Sequence, residues 1–349
     1  MANGNGHPGV VRYLVLWLTT ACNLRCAYCY RPDEPPAVMG REVISAALEL
    51  AASSGRSFHV QLAGGEPTLE PELLEYAART VRERGYAATL AVQTNATLLD
   101  KTLVALFSKY SASVGVSLDG PPEIQESLRG GAGATFRGLD LLARARVDFR
   151  ATAVLSQANV GHLGELALCL AAYPNARGLG LDLLVRKGRG AELPSETITA
   201  DSLNRAVLGL VELFDRVNAR RHAPLVWREY QAVAKALRGC SPAASFCHAG
   251  LGQSLAVHPS GRLYPCSQSV GDASLAAGKL DAVDWDTLRN AYRGVRLNGH
   301  CGGCPLEGRC PGECPSRLKV NASEADRTVC HLYRALARNI LEQEAKCIA

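Results

Sequence analysis

The sequence predicts an α/β protein with a parallel sheet, followed by a region of different character. Within the first 200 of its 349 residues, short β-branched apolar runs alternate with longer segments in which apolar residues recur every three or four positions. The first pattern is typical of buried strands and the second of amphipathic helices. Polar and glycine-rich segments follow the strands, at the edge where α/β sheets bind ligands. From about residue 238 the chain changes to short turns rich in Gly, Pro and Cys.

Six strands and the helices between them can be assigned in order. The strands are expected at residues 13–18, 58–63, 88–94, 113–118, 149–155 and 178–184. The helices are expected at residues 41–53, 72–84, 100–110, 135–145 and 163–173, with a further helix near 201–220. This order gives a parallel sheet that either lies flat or curls toward a barrel. Few apolar residues are periodic after residue 238, so metal binding is expected to stabilise that region.

Composition and charge exclude several classes of protein. Hydrophobic residues make up 47% and charged residues 20%, with no low-complexity run, which is typical of a globular chain. A net charge of +5 is too small to indicate a nucleic-acid partner. The apolar stretch at residues 10–18 is too short for a membrane helix and lacks the flanks of a signal peptide. A cytoplasmic protein with no membrane partner is therefore expected.

The thirteen cysteines fall into two groups, four within residues 1–230 and nine within residues 240–349. In a reducing compartment, clustered cysteines are more often metal or redox ligands than disulfides. Cys22, Cys26 and Cys29 form C-x3-C-x2-C directly after the first predicted strand. Three thiolates can hold three irons of a [4Fe-4S] cluster and leave the fourth iron for another ligand. A zinc site is the alternative, although zinc prefers four ligands.

This triad and the segments after it resemble the radical S-adenosylmethionine (SAM) superfamily, in which C-x3-C-x-aromatic-C follows the first strand. The resemblance implies a partial (β/α)6 TIM-type barrel, a SAM-binding [4Fe-4S] cluster, and cleavage of SAM to a 5′-deoxyadenosyl radical. It assigns to SAM an aromatic residue beside the adenine, a G-G-E-P turn at the methionine amino group, a serine with a downstream arginine, and two strand-end residues. In this sequence they are Tyr28, Gly64, Gly65, Glu66, Pro67, Ser117, Arg129, Asn95 and Leu184.

The later cysteines resemble the SPASM extension of the same superfamily, found in enzymes that modify peptides and proteins. The resemblance implies two auxiliary [4Fe-4S] clusters, three clusters in all, with ligands that are not taken in sequence order. It assigns Cys247, Cys266 and Cys314 to the first auxiliary cluster, with Cys240 as the candidate fourth ligand, and Cys301, Cys304, Cys310 and Cys330 to the second. Taken alone, the central four of these would also suit zinc. Cys169 and Cys347 are expected to bind no metal.

The expected domains are a radical SAM core barrel over residues 1–220, a linker helix over 221–239 and a SPASM domain with a C-terminal helix over 240–349. Residues 263–272 read Leu-Tyr-Pro-Cys-Ser-Gln-Ser-Val-Gly-Asp, which resembles maturases that crosslink ribosomally made peptides. The resemblance implies hydrogen abstraction from a precursor peptide, closure of a thioether or carbon–carbon crosslink, and an external electron donor such as flavodoxin or ferredoxin.

A general base and a leader-binding element are less well defined by the sequence. Asp272 is the candidate base, whereas Glu66 and Asp119 are better suited to shaping the SAM pocket. Because the first strand begins near Tyr13, a peptide leader is expected to be held by the barrel, by the cysteine-rich region or by a separate leader-binding protein.

Three alternatives stay open. A sulfatase-type protein maturase is disfavoured, because Ser267 stands where those enzymes carry an acidic base, and Gln125 and Glu126 stand in place of His-Asp. The second is a radical SAM dehydrogenase of a small-molecule alcohol. The third is a non-catalytic iron–sulfur electron carrier, in which the G-G-E-P turn and Arg129 would have no task.

Overall fold

The computed structural model describes residues 9–193, 198–239, 245–295, 301–321 and 325–348. The predicted strands are all present, as β1 Tyr13–Thr19, β2 Phe58–Gly64, β3 Ala88–Thr94, β4 Ser113–Ser117, β5 Phe149–Leu155 and β6 Ala176–Leu183. Helices separate them, as α1 Arg41–Ala52, α2 Pro71–Glu83, α3 Lys101–Lys109, α4 Pro122–Leu128, α5 Ala132–Arg144, α6 Leu163–Ala171 and, after β6, α7 Ala200–Asn218. Helix α4 was not expected from the sequence, because seven residues are too few to show a helical period.

The remaining elements are short, apart from the last helix. They are β7 Val226–Trp227, α8 Arg228–Leu237, β8 Ser254–Val257, β9 Leu263–Tyr264, β10 Gly278–Lys279, β11 Ala282–Val283, α9 Trp285–Asn290, α10 Pro315–Asn321 and α11 Ala325–Ile348. Helix α11 packs against α7 and α8. No helix within these described ranges is long and apolar enough to cross a membrane.

One sheet of nine strands runs through both parts of the chain, in the order β7-β6-β5-β4-β3-β2-β1-β8-β9. The pairs from β7 to β8 are parallel, and β9 is antiparallel to β8. Strands β7 and β8 therefore extend the six-stranded sheet at both of its ends. The domain boundaries expected at residues 220 and 240 stay predictions.

The first strand is buried on both of its faces. Leu14, Leu16 and Leu18 point into the core formed with the helices and are fully buried. On the other face, Trp17 packs with Ala256 and with other residues of the C-terminal region. The cysteine-rich part of the chain thus covers the face of β1 that points away from the helices.

The sheet curls so that its first and sixth strands face each other. Strands β1 and β6 are five strand positions apart, which in a flat sheet would be about 24 Å. Arg189, six residues after the end of β6, nevertheless donates from Nε to the Cys26 carbonyl in the loop after β1 at 2.9 Å. The curl confirms the predicted α/β fold with a partial (β/α)6 TIM-type barrel.

Candidate functional site

The loop after β1 brings the first three cysteines together. Burial raises the pKa of the Cys26 thiol, Arg129 lowers it, and the neighbouring Cys29 and Cys22 thiols raise it further. Burial also raises the pKa of Cys22. The loop is tied to the end of helix α4, because the Ala27 N–H donates to the Leu128 carbonyl at 2.9 Å. Crowded thiols that resist ionisation on their own suit a positively charged metal centre, which displaces their protons.

The G-G-E-P turn after β2 packs directly against the start of this loop. The Gly65 N–H donates to the Thr19 carbonyl at 2.8 Å, and the Glu66 N–H donates to the Ala21 carbonyl at 2.9 Å. A Cβ atom on Gly65 would lie 1.8 Å from the Ala21 carbonyl oxygen, so only glycine fits there. With both amides engaged, the turn can offer carbonyl oxygens to a ligand, and these accept hydrogen bonds from an ammonium group.

Glu66 braces the turn from within the protein. It is 2% exposed, and its Oε1 accepts hydrogen bonds from the Thr68 hydroxyl and the Thr94 hydroxyl, each at 2.7 Å. Its Oε2 accepts from the Asn95 N–H at 2.7 Å. Burial raises the pKa of this carboxyl, and these hydrogen bonds oppose the rise. The carboxylate is saturated by protein donors, so its geometry is that of a brace between β2 and β3.

A second buried carboxylate organises the aromatic and arginine positions. Asp119, after β4, is fully buried and accepts from Arg129 Nε at 2.8 Å and Nη2 at 3.1 Å. The Tyr28 hydroxyl donates to the same carboxylate, and the Arg129 guanidinium lies 5.2 Å from the centre of the Tyr28 ring. Neither hydrogen bond to Asp119 involves Arg129 Nη1. This nitrogen could therefore still contact an anionic ligand.

The other strand-end residues have mixed surroundings. The Asn95 amide donates to Asn23 in the cysteine loop at 2.9 Å, which ties β3 to that loop. The Ser117 hydroxyl accepts from Gln93 at 3.0 Å on the inner face of the barrel. Leu184 directly follows β6 and is half-buried.

The segment after β6 joins the two cysteine systems and was not singled out from the sequence. Arg189 Nε donates to the Cys26 carbonyl at 2.9 Å, and its Nη2 is buried with no hydrogen-bond partner among the residues that the structure describes. Lys187 Nζ donates to the carbonyls of Gln268 and Val270 at 3.1 Å and 2.6 Å. Nothing in the local sequence marks these side chains, because their partners are distant in the chain.

The later cysteines form two groups that do not follow sequence order. Burial raises the pKa of Cys314 to about 12, and Cys266 and Cys247 add to the rise. Cys266 also contacts the Tyr292 hydroxyl at 3.2 Å. In the other group, burial raises the pKa of Cys330 and Cys310, and electrostatic coupling links them to each other and to the two remaining cysteines, Cys301 and Cys304.

Other predicted residues lie outside these groups. Cys240 falls outside the described residues. Asp272 is half-buried and caps a short turn, since its Oδ1 accepts from the Ser274 N–H at 2.9 Å and hydroxyl at 2.7 Å. Cys169 is half-buried on α6, although a buried position was expected. Within the described ranges, no three His, Cys, Asp or Glu side chains have the geometry to share one metal ion.

The described pocket lies at the amino ends of the strands, away from the cysteine triad. It has a volume of about 420 Å³ and is lined by residues that begin β2 and β3, together with Arg12 and His248. Catalysis in barrels of this type takes place at the carboxyl ends of the strands. We therefore place the functional site at the cysteine loop and the polar strand ends, where the hydrogen-bond geometry converges.

A barrel whose first strand ends in a partly buried cysteine triad beside a glycine turn defines a radical SAM enzyme. Residues 18–165 match the model of the radical SAM superfamily. The chain therefore contains a radical SAM domain over these residues, and the SAM and [4Fe-4S] cluster of that superfamily suit the thiols and the turn described above.

Its relatives include named maturases. Over 337 residues, the chain is 28% identical to a serine-type anaerobic sulfatase-maturating enzyme of Klebsiella aerogenes, covering 90% of this chain and 81% of the relative. Over 315 residues, it is 28% identical to the mycofactocin maturase MftC of Mycobacterium ulcerans, covering 85% and 81%.

Solved structures show the same fold. The structure of anSMEcpe with bound AdoMet matches with a TM-score of 0.78 at 19% identity, covering 97% of this chain and 99% of that one. Streptococcus suis SuiB bound to the precursor peptide SuiA matches with a TM-score of 0.70 at 17% identity, covering 92% and 76%.

Proposed function

We propose that this enzyme is a maturase that installs an oxidative crosslink in a ribosomally made precursor peptide. The proposal rests on the arrangement of the later cysteines in two groups. Lys187, in the segment after β6, donates to the Gln268 carbonyl and so connects the group that contains Cys266 to the barrel. Auxiliary clusters at these positions would receive the electron that an oxidative crosslink releases. The relatives, which include sulfatase and mycofactocin maturases, support a peptide or protein as substrate.

Residues at the strand ends would hold SAM. When bound, SAM and its cluster supply a 5′-deoxyadenosyl radical that abstracts hydrogen. The carbonyl oxygens of Gly64 and Gly65 are suited to the ammonium group of the methionine moiety. Arg129 would use Nη1 for the carboxylate, while Asp119 fixes its other side. The remaining predicted contacts are Tyr28 in the loop after β1, and Ser117, Asn95 and Leu184 at the ends of β4, β3 and β6.

The two groups of later cysteines would ligate two auxiliary clusters. Cys247, Cys266 and Cys314 form the first set, with Cys240 as the proposed fourth ligand, and the other four form the second. If Cys240 completes the first cluster, no iron remains open for a substrate thiolate. Carbon–carbon closure or outer-sphere electron transfer would then be favoured over capture of a thiolate at iron. A one-electron donor such as flavodoxin or ferredoxin would reduce the SAM-binding cluster.

A sulfatase-type maturase is the second candidate, favoured by the similarity to the Klebsiella enzyme. The geometry at Ser267 argues against it. The Ser267 hydroxyl accepts a hydrogen bond from the Trp17 indole N–H at 2.7 Å. A hydroxyl with no ionisable proton near neutral pH cannot replace the acidic base expected at this position.

Co-expression with candidate precursor peptides, taken from any short open reading frames near the gene, tests the proposal by mass spectrometry. We expect the peptide to lose two hydrogen atoms and to yield fragment ions that indicate an internal crosslink. A Cys26→Ala variant is the inactive control. An unmodified peptide, together with conversion of a serine-containing sulfatase peptide, would instead identify a sulfatase-type maturase.

Iron content tests the ligand assignment separately. Cys314→Ala and Cys304→Ala should each lower the iron bound per chain, whereas Cys169→Ala should leave it unchanged. Cys240→Ala tests whether Cys240 is the fourth ligand of the first auxiliary cluster. An unchanged cluster spectrum would remove Cys240 from the ligands.

A further inference from the structure

A buried tyrosine lies beside the first group of later cysteines, and the family resemblance gives it no role. Tyr292 lies two residues after α9 and is almost completely removed from solvent. It belongs to a small apolar cluster with Ala249 and Leu275, and Cys247 and Cys266 pack against the same cluster. Two of the three cysteines proposed for the first auxiliary cluster therefore border the site that holds this side chain.

The tyrosine hydroxyl contacts the sulfur of one of these cysteines directly. Tyr292 Oη lies 3.2 Å from Cys266 Sγ, within hydrogen-bonding distance of a sulfur atom. Ser269 fixes the backbone of this cysteine, because its Oγ accepts from the Cys266 N–H at 3.1 Å and donates to the Cys266 carbonyl at 2.7 Å. The main chain of Cys266 is therefore held in place before any iron binds.

The direction of this hydrogen bond depends on the protonation state of the cysteine. As a thiol, Cys266 can either donate to Tyr292 or accept from it. A cysteine that ligates iron is a thiolate and has no proton, so only the phenol can then donate. A buried tyrosine hydroxyl needs a hydrogen-bond partner, and an anionic sulfur is a stronger acceptor than a neutral one. The contact should therefore be kept and strengthened when Cys266 ligates iron.

We propose that Tyr292 donates a hydrogen bond to the Cys266 thiolate and thereby raises the reduction potential of the first auxiliary cluster. The inference rests on the proposed function, which assigns Cys266 to that cluster. Reduction adds negative charge to the cluster and its thiolates, and a hydrogen bond to a ligating sulfur stabilises this added charge. When the crosslink closes, the substrate radical loses one proton and one electron, and a higher potential favours transfer of that electron to this cluster. Tyr292 is a positioning residue, because it acts on the reaction only through Cys266.

A redox titration of the full chain, reconstituted anaerobically and followed by electron paramagnetic resonance, tests this role. Cys26→Ala serves as the background, because loss of the SAM-binding cluster leaves only the auxiliary clusters to titrate. Tyr292→Phe is then added, which removes the hydroxyl and keeps the ring. At a fixed potential, the ratio of reduced to oxidised form of one cluster should fall by about tenfold, which is about 59 mV for a one-electron couple. The other cluster should titrate as before.

Tyr110→Phe in the same background is the matched control. Tyr110 is also buried, and its hydroxyl donates to Glu75 Oε1 at 3.2 Å, between α3 and β4. This variant loses the same group and a hydrogen bond to an anion, and it should keep both potentials. Electron–nuclear double resonance adds a direct measurement. The reduced cluster of the background protein should show a coupled proton that exchanges in D2O, and Tyr292→Phe should lack it.

The outcomes separate this contact from the proposed function. Unchanged potentials in Tyr292→Phe at native iron content, or an equal fall in Tyr110→Phe, would overturn the role of Tyr292 alone. If Tyr292→Phe lost the cluster, absence of an exchangeable coupled proton in the background protein would still overturn it. Native iron content in Cys314→Ala would overturn the first auxiliary cluster and this contact with it. The titration contains no peptide, so a peptide that stays unmodified would overturn the proposed crosslinking and not the role of Tyr292.

Discussion

Asp119 binds Arg129 through two hydrogen bonds, at 2.8 Å and 3.1 Å, in a pair that is almost completely removed from solvent. The same carboxylate accepts the Val154 N–H at 2.8 Å, so one buried acid connects the end of β4 to β5 and to the arginine. The pair therefore fixes the orientation of Arg129 before any ligand is present.

Asp119→Asn should destabilise the protein strongly, because it leaves the Arg129 charge buried without a partner. We expect a loss of about 3 kcal/mol in the free energy of unfolding, measured by urea denaturation. Asp148→Asn is the control, since the Asp148–Arg177 pair is partly exposed and should contribute less than about 1 kcal/mol. Equal losses in the two variants would contradict the structural role of the buried pair.

Glu66→Gln should also destabilise the protein, although the side chains have the same shape. An amide has one oxygen, so its NH2 group would face either the Asn95 N–H or the two threonine hydroxyls. The expected loss is about 2 kcal/mol in urea denaturation, the cost of unsatisfied buried donors. Thr68→Val, which removes a single donor to the carboxylate, should cost less. A Glu66→Gln variant as stable as the native protein would contradict this account of the brace.

Gly65→Ala should reduce the iron bound per chain. The new methyl group would overlap the Ala21 carbonyl and displace the start of the cysteine loop. Gly161→Ala is the matched control, because no heavy atom lies within 4 Å of a Cβ at that position. Iron analysis and the visible absorption of the cluster measure both variants after anaerobic reconstitution. Native iron content in Gly65→Ala would show that the loop tolerates the shift.

The start of α9 should contribute stability that depends on pH. Hydrogen bonds from the Thr287 hydroxyl and N–H, at 2.6 Å and 2.9 Å, lower the pKa of Asp284 below its ordinary value. A lowered pKa in the folded state adds stability above the unfolded pKa, and that stability is lost as the pH falls through the folded value. Asp284→Ala should therefore cost about 1 kcal/mol at pH 7.

The pH dependence distinguishes a charged cap from a change in packing. The difference in unfolding free energy between native protein and Asp284→Ala should shrink as the pH is lowered below 3.8, the ordinary pKa of the group. Urea denaturation across this range, on the protein as purified, measures it. A difference that is independent of pH would assign the effect to packing.

The strands could be predicted from the sequence because their signals are local. Apolar runs marked all six barrel strands, and the ends of β3 and β5 agree with the predicted residues. Strands β7 and β8 escaped prediction, since two and four residues carry no period of their own and form only by pairing with the existing sheet.

The site residues also fall into two classes, those with a local signal in the sequence and those without one. Motifs with fixed spacing, such as the cysteine triad and the G-G-E-P turn, could be found in the sequence. Lys187 and Arg189 could not, because their contacts depend on partners that the fold brings near from distant parts of the chain. The role of Asp272 as a base stays a prediction, and the structure adds that one of its carboxylate oxygens caps a short turn.

The pairing of β1 with β8 has a consequence for how the protein is made. Tyr13 to Leu16 pair with Ser254 to Val257, so the first strand leaves the ribosome about 240 residues before its neighbour on one side. Until residues 254–257 have been synthesised, the strand that leads into the cysteine triad has one edge without a partner strand. Such non-local pairing is slow to form and exposes the chain to aggregation. A nascent chain would therefore keep the triad accessible to iron delivery until synthesis is well advanced, and strong overexpression would favour edge-to-edge association of unfinished chains.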